Sequence, residues 1–139
     1  MDPQQIPPEL SDLIFFALDH GVDSVRTSGG PLVPFVVHAA SARTNKKLAR
    51  FAAEQLELGV ESARRYASNL SEAEAKYCVI AYDGFLTVQG KRWDAVFVEA
   101  SEQGQQGVVL AQRYKPKKFL QKFQTVGNAA FLGDAESLF

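Results

Sequence analysis

The chain has 139 residues, of which 46% are hydrophobic and 22% are charged. These proportions are those of a globular protein, which excludes a disordered or fibrous chain, and the length suits a single domain over 1–139. The formal net charge of −1 provides no overall attraction to nucleic acid or to an anionic membrane, so either partner would require a local basic patch.

The sequence predicts a soluble protein of the cytoplasm, without a membrane partner. Its first residues contain neither a basic nor an apolar signal region, and Pro7 and Pro8 would interrupt a signal helix. Its uncharged apolar stretches are far shorter than the roughly 20 residues that span a bilayer. The one cysteine, Cys78, cannot form an internal disulfide and lies in an apolar run, which favours a core position in a reducing compartment.

The first half of the chain predicts two helices and a strand. Apolar residues recur at helical spacing over 8–20, until a His-Gly pair ends the pattern. Residues 32–39 are typical of a strand, and Pro34 near its start favours an edge position in the sheet. Over 45–70 a long apolar stripe, with a mixed-charge face opposite, predicts a second and longer helix.

The second half changes to the residue types and spacing of strands. It is rich in Val, Ile, Phe, Tyr and Trp, and turn residues interrupt it. Strands are predicted over 76–88, 91–100 and 107–115. The pair Asp83-Gly84 inside the first strand is interpreted as a bulge or a further turn.

The last part of the chain shows weaker patterns. Residues 117–123 follow a proline and predict a short helix, and residues 124–139 are interpreted as loop with a last helical turn at most. The predicted fold is therefore of the α+β class. It is an antiparallel β-meander of three to four strands packed against one long and one short helix.

The register of the hairpins decides which side chains share a face of the predicted sheet. A tight turn at residues 89–90 sets Phe85 opposite Asp94, and a short loop before the third strand sets Asp94 opposite Arg113. One face is then expected to form the core beneath the long helix, and the opposite face is expected to be solvated. The polar side chains of the solvated face are Asp83, Thr87, Arg92, Asp94, Arg113 and Lys115.

This polar cluster has two interpretations. As a site, Asp83, Asp94 and Arg113 are candidate catalytic residues, because neighbouring charges shift one another's pKa. Arg92, Arg113 and Lys115 are candidate ligands for a phosphate-bearing or otherwise anionic substrate. As a structural network, the same charges pair across strands and contribute about 0.2 to 1 kcal/mol per pair.

No metal site and no cofactor is predicted. Many metal-dependent nucleases combine an acidic residue on one strand with a Glu-x-Lys on the next, where the acids hold the metal ion. Asp94 fits the first part, but Gln112 stands where the second acid would be needed, so only a degenerate nuclease-like site fits. The chain has one cysteine and two histidines, and it lacks the ligand spacing of zinc sites.

Residues 113–123 form a basic and aromatic stretch. Its cations are Arg113, Lys115, Lys117, Lys118 and Lys122, and its aromatic residues are Tyr114, Phe119 and Phe123. Such a stretch suits nucleic acid, but the slightly acidic charge of the whole chain favours a solvated connection instead. A nucleic-acid partner is therefore disfavoured.

Three functions remain open from the sequence. The first is a non-enzymatic interaction or regulatory protein that binds a partner protein or itself as a homodimer, because the chain offers more large apolar side chains than a small core absorbs. These side chains are Phe15, Phe16, Phe119, Phe123, Phe131, Leu138 and Phe139. The second is an enzyme that uses the polar cluster, and the third is a nucleic-acid-binding module that uses residues 115–118.

Overall fold

Residues 2–41 and 45–139, which the computed structural model describes, form an antiparallel sheet of six strands with a helix on each face. The strands are β1 (Phe35–Ala39), β2 (Lys47–Arg50), β3 (Tyr77–Val88), β4 (Lys91–Glu102), β5 (Gly107–Lys115) and β6 (Gln124–Ala135). The helices are α1 (Pro8–Ser28) and α2 (Leu56–Ser68), and a 3₁₀ turn covers Pro3–Gln5. The strand order is β2-β1-β3-β4-β5-β6, and every neighbouring pair is antiparallel.

The central strands confirm the α+β class and the predicted turns between strands. The strands predicted over 76–88, 91–100 and 107–115 appear within two residues of their expected bounds, as β3, β4 and β5, and the strand predicted over 32–39 begins three residues later, as β1. The register of the first hairpin is also confirmed, since Phe85 pairs with Asp94. The bulge or turn expected at Asp83-Gly84 is wrong, because both residues pair in unbroken register with β4.

The predicted meander of three to four strands is wrong, because the described chain forms a sheet of six. One missed strand is β6, in a region interpreted as loop. Its ladder with β5 contains two register shifts, so its side chains do not alternate regularly and the strand pattern is hidden. The short helix predicted over 117–123 is also wrong, since an isolated bridge between Lys118 and Gln121 closes a turn there.

The other missed strand, β2, lies within the predicted long helix. The region 45–70 divides into Lys47–Arg50, which pairs with β1, and a helix that begins only at Leu56. Helix propensity is a weak preference, and here the backbone hydrogen bonds of the β1 ladder outweigh it. Because β2 covers the outer side of β1, the edge position predicted from Pro34 is wrong.

Helix α1 continues well beyond its predicted end at residue 20 and reaches Ser28. Gly21 does not end the helix. Because it has no side chain, it allows the backbone of α1 to approach the sheet closely. A Cβ atom at Gly21 would lie 2.9 Å from Cγ1 of Val96. Although α1 is the longer of the two helices, neither it nor another helix of the described chain is long and apolar enough to cross a bilayer.

The two faces of the sheet carry separate apolar clusters. Helix α1 packs on β3 and β4 and buries the larger cluster, which includes Phe35, Val79 and Val96. Helix α2 packs on β1 and β3 and buries a smaller cluster, which includes Ala63 and Ile80. The sheet is therefore the middle layer of three, and neither of its faces is wholly solvated.

The register between β4 and β5 differs by one residue from the prediction. Asp94 pairs with Tyr114 instead of Arg113, and a slip of one residue moves every β5 side chain to the other face. Tyr114 therefore joins the cluster beneath α1, whereas Arg113 and Lys115 lie on the α2 side. The face that bears Asp83 and Asp94, expected to be solvated, is the face that α1 covers in part.

Candidate functional site

A pocket lies where β1 ends and β3 continues. β1 pairs with β3 only as far as Ala81, so residues 82–88 have a strand neighbour on one side only within the described chain. The turn that follows α1, at residues 29–31, and the first turns of α2 flank this free edge. Together they enclose a volume of about 660 Å³, within the range of small-molecule pockets.

The walls of the pocket are mainly apolar and aromatic. They come from the sheet, from α2 and from both flanking turns: Pro31, Leu56, Val60, Tyr82, Phe85, Tyr114 and Pro116. Phe85 stands at the rim with 59% of its surface exposed, and the guanidinium of Arg92 lies 4.1 Å from the centre of its ring. The polar lining side chains are Glu57, Arg64, Asp83 and Asp94.

Asp83 is an anchor for the turn after α1. Its Oδ2 accepts a hydrogen bond from the backbone nitrogen of Leu32 at 2.8 Å, and its Oδ1 accepts one from Gly84 at 3.1 Å. The hydroxyl of Tyr114 donates to the same carboxylate and lies 2.9 Å from both oxygens. Burial raises the pKa of Asp83, although these hydrogen bonds oppose the shift. Most of its acceptor capacity is used inside the protein.

Arg64, on α2, is already neutralised by a carboxylate. It donates two hydrogen bonds to Glu99 on β4, at 2.7 and 2.6 Å, in the bidentate geometry that suits a guanidinium. The hydroxyl of Tyr82 donates to the same carboxylate. Burial by itself raises the pKa of Glu99, but the hydrogen bonds from Arg64 and Tyr82 and the charge of Arg64 outweigh it, so the pKa is lowered.

Asp94 and Glu57 are the lining carboxylates that remain for a ligand. Neither has a hydrogen-bond or ion-pair partner within residues 2–41 and 45–139. Since Arg64 is the one cation among the lining residues and is paired with Glu99, the pocket presents uncompensated negative charge between apolar walls. Such a site suits a cationic group on an apolar stem.

The structure brings together some of the predicted site residues and separates the others. Asp83 and Asp94 line the pocket, and Arg92 lies outside its rim over Phe85. Arg113 and Lys115 lie on the opposite face of the sheet, so the predicted cluster of carboxylates and cations does not form. A catalytic role for any of these residues stays a prediction.

Several residues that line the pocket could not be predicted from the sequence. The pattern assigns Tyr114 to the wrong face, because the register of β5 is displaced by one residue. Nothing in the Gly-Gly-Pro run at 29–31 indicates contact with β3. Glu57 and Arg64 lie on the predicted solvent face of the long helix, where mixed charges are ordinary.

The surroundings of the cysteine and the two histidines are typical of residues with a structural role. Cys78 is buried, and burial raises the pKa of its thiol to about 12, which keeps it protonated. The Nε2 atom of the buried His38 lies 2.9 Å from the hydroxyl of Tyr66, and burial lowers its pKa. His20 contacts Arg50 at 3.0 Å between Nε2 and Nη2. All three residues lie outside the lining of the pocket.

Comparisons of this chain with protein-family models, with curated proteins and with solved structures found no match. The function is therefore argued from the geometry of the chain itself.

Proposed function

We propose that this chain is a non-enzymatic interaction protein whose pocket binds a basic side chain of a partner polypeptide. The observation that carries the proposal is the charge of the pocket. Asp94 and Glu57 are uncompensated, whereas the cation in the lining, Arg64, is held by Glu99. A Lys or Arg side chain of a partner would place its apolar stem along Tyr82 and its charge between these carboxylates.

The free edge of β3 supports a polypeptide as the ligand. Residues 82–88 present backbone groups that no strand of the described chain pairs, and an unpaired edge is a template for an added strand. The pocket lies on both sides of this edge, with Leu56 and Val60 on the α2 side and Tyr114 on the α1 side. Alternate side chains of an added strand would therefore reach different walls.

The experiment is a titration of the labelled protein with two capped pentapeptides, followed by nuclear magnetic resonance. One peptide is Thr-Lys-Val-Lys-Thr and the other is Thr-Glu-Val-Glu-Thr, so that only the sign of the charge differs. We expect the Lys peptide to shift the amide signals of residues 82–88 and 56–60, and the Glu peptide to leave them unchanged. Asp94→Asn should weaken the Lys peptide about fivefold, the effect of one partly exposed charge.

Glu61→Gln is the matched control, because Glu61 lies one turn after Glu57 on α2, is exposed and does not line the pocket. It should leave the affinity for the Lys peptide unchanged. The proposal is wrong if neither peptide shifts the signals at millimolar concentration, if the Glu peptide binds equally well, or if Asp94→Asn has no more effect than Glu61→Gln.

An enzyme acting through acid–base chemistry is the second candidate. Two carboxylates in a recess, one of them with a raised pKa, are the observation that favours it. The hydrogen bonds that Asp83 accepts count against it, because a catalytic carboxyl must present a free oxygen to its substrate. Hydrolysis of 4-nitrophenyl esters, phosphates or glycosides that Asp94→Asn abolishes would support the enzyme, and no turnover across this panel would reject it.

Self-association in the cytoplasm is a further part of the proposal. Phe15 and Phe16 on α1 remain 50% and 39% exposed, and Phe119 is 94% exposed, so apolar surface is available for a second copy. Light scattering at about 50 µM protein tests this: the mass of a dimer supports it, and the mass of a monomer rejects it. The buried thiol of Cys78 suits the reducing cytoplasm.

A further inference from the structure

The end of the β3–β4 hairpin carries a second surface, on the face opposite to Asp94. We call it the aromatic face, and it consists of Tyr82, Lys91, Trp93, Phe97, Arg113 and Lys115. Alternation along each strand and the observed registers place these side chains on the α2 side of the sheet. Phe97, Trp93, Arg113 and Lys115 are all partly exposed.

This surface is open because α2 does not reach it. Helix α2 packs on β1 and β3, and its closest link to β4 is the ion pair between Arg64 and Glu99. The C-terminal residues cover the other end of the same face, where the backbone nitrogen of Leu138 donates to the hydroxyl of Ser101 at 3.0 Å. Between these covers and the hairpin turn, the larger side chains of β3, β4 and β5 on this face are partly exposed.

The aromatic side chains pack beside one another on this surface. The rings of Tyr82 and Phe97 are parallel within 2°, with centroids 5.7 Å apart. Gly84 lies beneath Phe97 and makes room for the ring, since a Cβ atom there would be 2.9 Å from Cε2 of Phe97. Trp93 stands on the same strand as Phe97, with the small Ala95 between them on this face. The result is a row of partly exposed aromatic side chains.

The charged side chains beside this row are cations. The Lys91 Nζ atom lies 4.0 Å from the centre of the Trp93 ring, and the Arg113 guanidinium carbon lies 5.2 Å from it. Lys115 follows on the same face of β5. Within the described chain, the nearest acid on this face of β4 is Glu99, and Arg64 neutralises it. The local charge is therefore positive although the whole chain is slightly acidic.

We propose that the aromatic face binds single-stranded nucleic acid. Exposed rings on a sheet stack with unpaired bases, and cations beside them hold the phosphates. Lys91 and Arg113 rest on the indole in the free protein, so they can move to the phosphates when a base takes their place on the ring. This inference does not depend on the pocket, because Tyr82 borders both surfaces but Trp93, Arg113 and Lys115 lie outside the pocket lining.

The experiment uses Trp93 as its own reporter, because it is the one tryptophan of the chain. A 15-residue oligothymidylate labelled with fluorescein is titrated with the full chain in 50 mM NaCl, and anisotropy and indole fluorescence are both recorded. We expect saturable binding with quenching of the indole, and a dissociation constant below about 100 µM, as for nonspecific nucleic-acid binding.

Variants separate stacking from charge. Trp93→Leu should weaken binding at least about tenfold because it removes a stacking ring, whereas Trp93→Phe should retain most of the affinity. Neutralising Lys91, Arg113 and Lys115 together to Gln should lower the slope of log affinity against log salt by about 2. The matched control neutralises Lys47, Arg65 and Lys117, exposed cations outside the aromatic face, and should leave the indole quenching unchanged.

Three results would overturn the inference. One is no saturable binding of the oligothymidylate in 50 mM NaCl up to a protein concentration of about 200 µM, well above the weak limit of nonspecific binding. Another is equal binding by Trp93→Leu and the wild type, with both folded by circular dichroism. The third is tighter binding of poly-glutamate or inorganic polyphosphate than of the oligonucleotide, which would make the surface a charge site without stacking.

Discussion

The two faces of the β3–β4 hairpin differ in chemistry although the same strands build both. The α1 face borders the turn after α1 and carries the pocket carboxylates Asp83 and Asp94. The aromatic face is open and carries Lys91, Trp93 and Arg113. Consecutive residues of β4 therefore belong to different surfaces, because successive side chains of a strand point to opposite sides.

This difference shows how strongly strand register decides chemistry. With Asp94 opposite Arg113, acids and cations would neutralise one another on one face. With Asp94 opposite Tyr114, Arg113 and Lys115 lie on the other face, and Arg92 is the predicted cation that stays on the face of Asp94. The one residue of difference therefore removes two of the three cations from the predicted ion network.

The largest effect is expected on the free energy of unfolding, when a substitution of Asp83 is compared with the same substitution of Asp94. Asp83→Ala should lower the free energy of unfolding by about 2 kcal/mol, because it leaves the buried nitrogen of Leu32 and hydroxyl of Tyr114 without an acceptor. Asp94→Ala should change it by less than about 0.5 kcal/mol, as for a side chain without a partner. Urea unfolding followed by circular dichroism measures both. Equal losses would remove the distinction between an anchoring and an available carboxylate.

A smaller effect is expected at Gly84, where a new Cβ atom would meet the Phe97 ring of the aromatic face. Gly84→Ala should cost about 1 kcal/mol of stability, because the new methyl group displaces the Phe97 ring. The oligothymidylate should then bind more weakly. The double variant Gly84→Ala with Phe97→Leu serves as the control, since it restores space and should recover stability but not stacking. Unchanged oligothymidylate binding in Gly84→Ala would contradict the role of the Phe97 ring.

The smallest effect is the change of stability with pH, which should have opposite directions for Asp83 and Glu99. The pKa of Asp83 is raised in the folded protein. Between the unfolded and folded pKa values, folding takes up protons, so the contribution of Asp83 to stability grows as the pH falls. The pKa of Glu99 is lowered in the folded protein, so its contribution is present above the unfolded value and is lost as the pH falls.

Urea unfolding at pH 7, 5.5 and 4 tests this difference. The stability of the wild type relative to Asp83→Asn should rise as the pH falls, and its stability relative to Glu99→Gln should decrease. Glu61→Gln supplies the effect of removing an exposed carboxylate. If both differences change in the same direction, the environments assigned to Asp83 and Glu99 are wrong.

Local signals predicted the centre of the sheet well. The turn at residues 89–90, between two strands of alternating apolar residues, is enough to define the β3–β4 hairpin and its register. The loop after β4 contains no such tight turn signal, so its length and the register of β5 were open by one residue. That single residue decided whether Arg113 lies beside Asp94 or behind it.

Pairings between distant segments could not be predicted. Whether Lys47–Arg50 is helix or strand depends on β1, which offers it a ladder, and local spacing favours the helix. The pocket depends on still more distant contacts, since it joins the turn at 29–31, the start of α2 and the end of β3. Two of its three carboxylates, Asp83 and Asp94, were identified from the sequence, but Glu57 and the walls that form the recess were not.

The irregular ladder of β6 has a consequence for solubility. β6 is a long outer strand, and long flat outer strands invite other chains to continue the sheet, which leads to aggregation. The two register shifts bend and twist this border away from the flat geometry that another chain would need. Straightening β6 by removing its shifts would therefore be expected to raise the tendency of the protein to aggregate.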